Sequence, residues 1–237
     1  PIGFFLHTPF PPAGMFAVLP RAAGLLRAVC ASDVVGFQTV QDRDNFAETA
    51  VRLLGAARPS PDTLLVEGRR VRAAVEPVGI DTEGFAATAR SAGRDTATRR
   101  LADSLGGRSL VFSVDRLDHT KGLPERVRAI AHLFERHPHW RRAVNFLQVA
   151  ATSRQDVAEY QRLRREIDRM VGDLNGQTGE PDWTPLRYMT RPVRRQALAG
   201  FHRLAKVGLV TPLRDGMNLV AKEYVAAQNP DDPGVLV

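Results

Sequence analysis

Along the chain, short apolar runs rich in β-branched and aromatic residues alternate with longer stretches whose apolar residues recur every three or four positions. That alternation predicts an α/β fold with parallel strands. Ile2–Leu6 predicts a strand, and a helical zone follows through Leu26; Asp33–Thr39 (DVVGFQT) reads as a buried strand and Asp42–Leu54 as an amphipathic helix. The segment TLLVEGRRVRAAVEPVGID breaks the rhythm. Its two β-rich runs, with Gly68 in a turn between them, predict a hairpin or two short strands before Asp81.

From Thr82 to Gly107 the residues are small, polar and charged, with no strand signal, so a domain junction is expected there. Placing it at 89–107 leaves 1–88 as part of one domain and 108–237 as a second. Past the junction the repeat is regular: strand Ser109–Val114, helix from Pro124, strand Val144–Val149, helix Asp156–Leu174. In the last of these Val157, Tyr160, Leu163, Ile167, Met170 and Leu174 share one face, and Ser153 with Asp156 resembles a capping box. Arg162, Arg164, Arg165 and Arg169 fall mostly off that face and read as a solvated helix surface. A third repeat has a strand near Tyr188, a helix after Pro192, strand Val207–Val210, helix Met217–Gln228 and a strand at Val235. This is the pattern of half of a doubly wound sheet, in which ligands bind at the carboxyl ends of strands, after Val114, Val149 and Val210.

Composition sharpens the picture in few places. The 237 residues, 43% of them hydrophobic, suffice for a core and for one or two domains. The formal charge of +7 comes with only three lysines, Lys121, Lys206 and Lys222, so arginine supplies nearly all the basic excess. Arginine suits bidentate phosphate contacts, although genomic base composition produces the same bias. Cys30 is the only cysteine, which excludes an intramolecular disulfide and fits a reducing cytoplasm. No apolar run reaches the roughly 18 residues that would span a bilayer, so no membrane partner is expected. The Pro1 start and the apolar PGVLV end suggest an excerpt of a longer protein.

Candidate chemistry lies in the strand-to-helix loops. In DRLDHTKGLPE, Arg116 and Lys121 are fixed cations able to hold a diphosphate, or Arg116 pairs with Asp115 or Asp118 as a structural ion pair. In TPLRDGMNLVAKEYVAAQ, Gly216 lets the backbone approach a ligand, and an anion fits the N–H groups of Met217, Asn218 and Leu219 at the helix start. Glu223 and Asp215 can accept hydrogen bonds from sugar hydroxyls, or Asp215 caps the helix while Glu223 complements its dipole. Arg154 in AATSRQD reads on its own as an exposed arginine, and His7 after the first strand as a structural histidine able to reach a ligand. No GxGxxG, P-loop, HExxH or GxSxG pattern is present, and the six histidines show no metal-ligand spacing.

Taken together, GFFLHTPFP, GFQT, SVDRLDHTKGLPER, ATSRQDVAEYQ and above all LVTPLRDGMNLVAKEYVAAQ resemble the trehalose-6-phosphate synthases, from Gly3 to Val237 and in the expected order. The resemblance implies the GT-B fold, two Rossmann-like doubly wound domains, with the first represented only by its C-terminal portion. It implies a retaining hexosyltransferase that moves glucose from UDP-glucose to glucose 6-phosphate, giving α,α-trehalose 6-phosphate, without a metal or other cofactor. Arg116 and Lys121 would then bind the donor diphosphate. Asp215 and the backbone of Gly216, Met217, Asn218 and Leu219, running on through Val220, Ala221 and Lys222, would hold donor sugar and phosphates, and Glu223 the ribose. Arg154 matches an arginine on the acceptor phosphate, His7 a histidine beside the donor glucose, and Val193 a residue near the uracil. His119 stands where the family often has Tyr.

An amino-terminal segment with a glycine loop and further acceptor-phosphate residues is absent from this sequence, as is the family's carboxyl-terminal helix. Related alternatives are therefore a glucosylglycerol-phosphate synthase, a pseudo-glycosyltransferase, or a catalytically silent synthase-like regulatory module. The expected partners are the two small-molecule substrates and no nucleic acid; homo-oligomerisation and the base of the donor nucleotide stay open.

Overall fold

The strands form where β-branched and aromatic residues run together, and the computed structural model describes residues 1–152 and 156–237. The chain divides into two units: Pro1–Gly79 with Asp215–Met217, and Ile80–Arg214 with Asn218–Val237.

The first unit contains β1 (Gly3–Leu6), α1 (Ala13–Phe16), α2 (Ala22–Cys30), β2 (Val34–Phe37), α3 (Val40–Leu54), β3 (Ala57–Ser60), β4 (Thr63–Val66) and β5 (Arg69–Val75). Its sheet runs β1-β2-β5-β4-β3, with the first three strands parallel and β4 and β3 antiparallel additions. The expected hairpin is β4–β5. Val66 pairs with Arg69 across Glu67 (φ 49°) and Gly68 (φ 81°), the left-handed pair that a two-residue hairpin turn requires. Helix α3 begins two residues earlier than the hydrophobic period indicates, because the Thr39 hydroxyl accepts from Asp42 N at 3.1 Å and caps it. The core gathers Phe10, Phe37 and Phe46 with Leu26, Val35 and Val71. Two polar groups of α3 hold the loop after β1 to this core: Asp42 accepts from Phe10 N at 2.9 Å, and Asn45 Nδ2 donates to Phe10 O at 2.9 Å.

The second unit contains α4 (Thr82–Ser91), α5 (Thr96–Leu105), β6 (Ser109–Arg116), α6 (Leu123–Arg136), β7 (Val144–Ala151), α7 (Ala158–Thr178), β8 (Leu186–Met189), α8 (Arg195–Leu204), β9 (Val207–Gly208), α9 (Leu219–Ala227) and β10 (Val235–Leu236). The stretch without strand signal thus forms two helices of this unit. Asp81 caps α4 through Gly84 N, and Asp95 caps α5 through Ala97 and Thr98 N, while the division between units falls earlier, at Gly79.

All five strands are parallel, in the order β10-β9-β6-β7-β8. Central β7 is buried without alternation along nearly its whole length, because helices cover both faces. Val144, Phe146 and Ala150 pack on one face with α6 and α7; Leu147 and Val149 pack on the other with α5, α8 and α9. Helix α7 starts at Ala158, later than the capping pattern implies. Its N-cap Val157 makes no side-chain capping bond and is exposed, and Ser153 lies outside the described residues. Leu163, Ile167 and Leu174 are buried as the period requires, joined by Val171, and the arginines off that face are exposed, Arg164 and Arg169 facing Asp168 and Asp173 one turn on.

His202 on α8 is 1% exposed, ringed by Phe85, Phe112 and Tyr224, and neither ring nitrogen has a hydrogen-bond partner among the described residues. Burial pushes its pKa down from 6.5 to about 4. The unfolded chain therefore takes up a proton that the folded chain refuses, and the stability present above pH 6.5 is lost as pH falls toward 4. Unfolding in urea should show a loss of about 2 kcal/mol between pH 7 and pH 5 from this residue. The His202→Leu variant should lack that component; an unchanged pH dependence in the variant would contradict the assignment.

Candidate active site

In the second unit the loop after β6 is built from its own ends inward. Leu117 is buried beneath it, and Asp118 closes the turn at His119–Lys121 by accepting from Thr120 N at 3.0 Å and Thr120 Oγ1 at 2.9 Å, with Tyr160 OH at 3.2 Å. Burial works to raise the Asp118 carboxyl. The Thr120 and Tyr160 hydrogen bonds and the Arg116 charge outweigh it and hold the group below its ordinary 3.8. Gly122 follows at φ 63°, and a Cβ there would stand 2.9 Å from Thr211 O, so this position needs glycine twice over.

The same loop is stitched to the one after β9. Thr120 O accepts from Leu213 N at 2.8 Å and Arg214 N at 3.2 Å. Arg126, in the first turn of α6, is buried with a side-chain exposure of 2%. It donates to Asp115 and Gln148 at 2.6 Å each, to Thr211 Oγ1 at 3.0 Å and to Lys121 O at 3.4 Å. Asp115 thus pairs with Arg126, not with Arg116. Arg116 is exposed at the end of β6 and enters no ion pair among the described residues. Lys121 lies half-buried in the same loop.

Helix α9 opens at Leu219, not at Met217, and its cap is Asn218, whose Oδ1 accepts from Ala221 N at 3.1 Å. The reading of Asp215 as the cap is corrected by this bond; Asp215 Oδ1 accepts from Gly216 N at 3.0 Å. The N–H groups of Leu219 and Val220 head the helix, where its dipole favours an anion. One turn on, Glu223 is half-buried and makes no hydrogen bond or ion pair among the described residues. Burial pushes its carboxyl above 4.5, against the pull of the Arg195 charge. Val193 precedes α8 and packs on the core that α8 shares with β6. Arg154 lies outside the described residues.

In the first unit, His7 follows β1 and is exposed, its Nδ1 2.7 Å from Gln38 Nε2. Gln38 Oε1 accepts from Val78 N at 3.0 Å, so its amide nitrogen faces His7. Nδ1 then accepts and Nε2 carries the proton outward as a donor. Gly216 belongs to this unit too, and a Cβ on it would fall 1.7 Å from His7 O. Sequence reasoning did not single out Gln38, Arg126 or Thr211. For Arg126 a signal exists: it interrupts the apolar stripe Leu123, Val127, Ile130, Phe134 on the buried face of α6.

A parallel sheet covered by helices on both faces, together with a second, mixed sheet whose first three strands are parallel, is the α/β architecture of the GT-B fold, which the likeness to solved trehalose-phosphate synthases identifies. The glycosyltransferase family 20 model matches residues 1–237, and the chain belongs to that family. It is 46% identical over its whole length to the trehalose-6-phosphate synthase of Sinorhizobium fredii, of which it covers 51%. Among solved structures, it matches an α,α-trehalose-phosphate synthase (UDP-forming) from Burkholderia xenovorans in complex with glucose-6-phosphate, with TM-score 0.95 and 43% identity over 99% of this chain and 52% of that one. A structure from E. coli bound with UDP-2-fluoro glucose matches with TM-score 0.94 and 42% identity, over 99% of this chain and 52% of that one. The chain spans about half the length of the curated relatives it matches. No helix among the described residues is long and apolar enough to cross a membrane.

Proposed function

We propose that the protein carrying this chain is a cytoplasmic, retaining hexosyltransferase that moves glucose from UDP-glucose to glucose 6-phosphate, forming α,α-trehalose 6-phosphate. The observation that carries this reading is the exposed Arg116, which enters no ion pair among the described residues, in one loop with Lys121 that is bonded to the 211–214 segment leading into α9. As the glycosidic bond breaks, charge accumulates on the departing diphosphate, and two fixed cations with the head of a helix stabilise it. Membership of family 20 supports the reaction class, and the ligands in the matched structures support the two substrates.

The remaining roles follow from each group's chemistry. Glu223, which makes no hydrogen bond or ion pair among the described residues, is assigned to two ribose hydroxyls, and Val193 to the uracil edge. The Nε2–H of His7 donates to the donor glucose, with Asp215 and the 216–222 backbone on its sugar and phosphates. Arg154 is assigned to the acceptor phosphate. With no nucleophile assigned, retention requires the acceptor hydroxyl to be held on the face from which the diphosphate departs, and orientation of that kind supplies about 7 to 11 kcal/mol of a barrier. The cations do the work a metal does elsewhere, so EDTA is expected to leave turnover unchanged.

The test is transfer itself: the purified protein with UDP-glucose and glucose 6-phosphate should release UDP and yield the disaccharide phosphate, identified by NMR. Within it, Glu223→Ala should weaken nucleotide-sugar binding and Arg154→Ala should raise the KM for glucose 6-phosphate, each roughly ten- to a hundredfold. Because burial raises the Glu223 carboxyl, donor binding should weaken on acidification at a higher pH than an ordinary glutamate would produce. An Arg154→Ala variant that loses UDP and keeps the acceptor would overturn this assignment of residues.

A further inference from the structure

We propose that Arg126 is a positioning residue for donor binding: it sets the diphosphate loop Arg116–Lys121 in register with the loop after β9. The proposal rests on the reading of Arg116 and Lys121 as donor contacts. Its basis is the set of groups one guanidinium joins. Asp115 immediately precedes Arg116 on β6, and the carbonyl of Lys121 belongs to the other proposed phosphate ligand. Gln148 is on the neighbouring β7, itself accepting from Ser113 of β6 at 2.6 Å, and Thr211 lies 85 residues away at the root of the loop leading into α9.

A fork that donates in several directions fixes the distances among all of these at once, which a single ammonium cannot do. Backbone contacts make the same joint from the other side, through Thr120 O with Leu213 and Arg214 and through the close approach of Gly122 to Thr211 O. Arg126 is buried, with 2% of its side chain exposed, so it meets no substrate and acts through the loops it holds.

The decisive variants are Thr211→Val, which removes one bond and leaves the buried pair, and Arg126→Lys, which keeps the charge against Asp115 and loses the fork. Steady-state kinetics with UDP-glucose and glucose 6-phosphate, together with UDP titration calorimetry, should show the donor KM and the UDP Kd raised about tenfold for Thr211→Val and more for Arg126→Lys. The KM for glucose 6-phosphate should not move. A merely structural role would lower Tm and the active fraction, hence kcat, at unchanged donor KM, and that pattern overturns the proposal. So does wild-type UDP affinity in a folded Thr211→Val variant. A wild-type protein without UDP-glucose transfer would instead defeat the proposed function, a result that the comparison between variants does not imitate.

Discussion

Replacing Arg116 or Lys121 with alanine is expected to lower kcat by about a hundred- to a thousandfold, the scale seen when one preorganised donor to developing negative charge is removed. For Arg116 the reason lies in what its side chain is not doing in the folded chain. Arg116 has no ion pair to lose among the described residues; Asp115, its neighbour in sequence, is held by Arg126, and Asp118 keeps its bonds to Thr120 and Tyr160 when Arg116 is gone. Truncation at 116 should therefore leave Tm nearly unchanged while removing charge from the departing diphosphate. An Arg116→Lys variant should recover only part of the rate, since an ammonium lacks the planar fork. Near-native kcat in both alanine variants would sink the assignment of this loop.

The Gly216→Ala variant should lose about a hundredfold in kcat/KM. Its Cβ would be placed 1.7 Å from the His7 carbonyl oxygen, far inside any contact a carbon atom tolerates, and backbone cannot swing aside as a side-chain tip does. Either the 215–217 segment or the end of β1 must move by an ångström or more, and misplacement of that size costs on the order of a hundredfold in an oriented reaction. Separate measurement of UDP affinity locates the damage: a loss there implicates the 215–217 segment, and its retention implicates the His7 end. Native kcat/KM in the alanine variant would show that the close packing has no part in the reaction.

The elements legible in the sequence were those whose period is set by burial. The stripe of α7 and the largely apolar strand β7 both announce the faces they cover, and β4–β5 is marked by Gly68. Edges were harder because single side chains decide them. Thr39 moves the start of α3 back, and Asn218 moves the start of α9 forward. Strand β3, with sequence ARPS, carries no β signal at all; it exists because it pairs with β4 at the sheet edge, where a proline is tolerated. In the candidate site, the charged loops could be read from their residues because strand-to-helix turns place cations where ligands bind. Arg126 could not be read so directly, since its partners lie from 5 to 85 positions away and only folding gathers them. Gln38 is a similar case: its hold on His7 spans 31 positions, and its bond to Val78 spans 40.

Cys30 gives the chain an internal clock. It is the only thiol, 2% exposed in α2, and burial foremost, then the Glu67 charge, push its pKa up to about 11. A thiol reagent added at neutral pH must wait for the first unit to open before it finds a reactive sulfur. Both tryptophans, Trp140 and Trp183, belong to the second unit, so fluorescence follows that unit alone. Labelling kinetics and tryptophan emission in one denaturant series would time the opening of the two units separately, with no substitution introduced, and a gap between the two curves would measure how far each unit melts on its own.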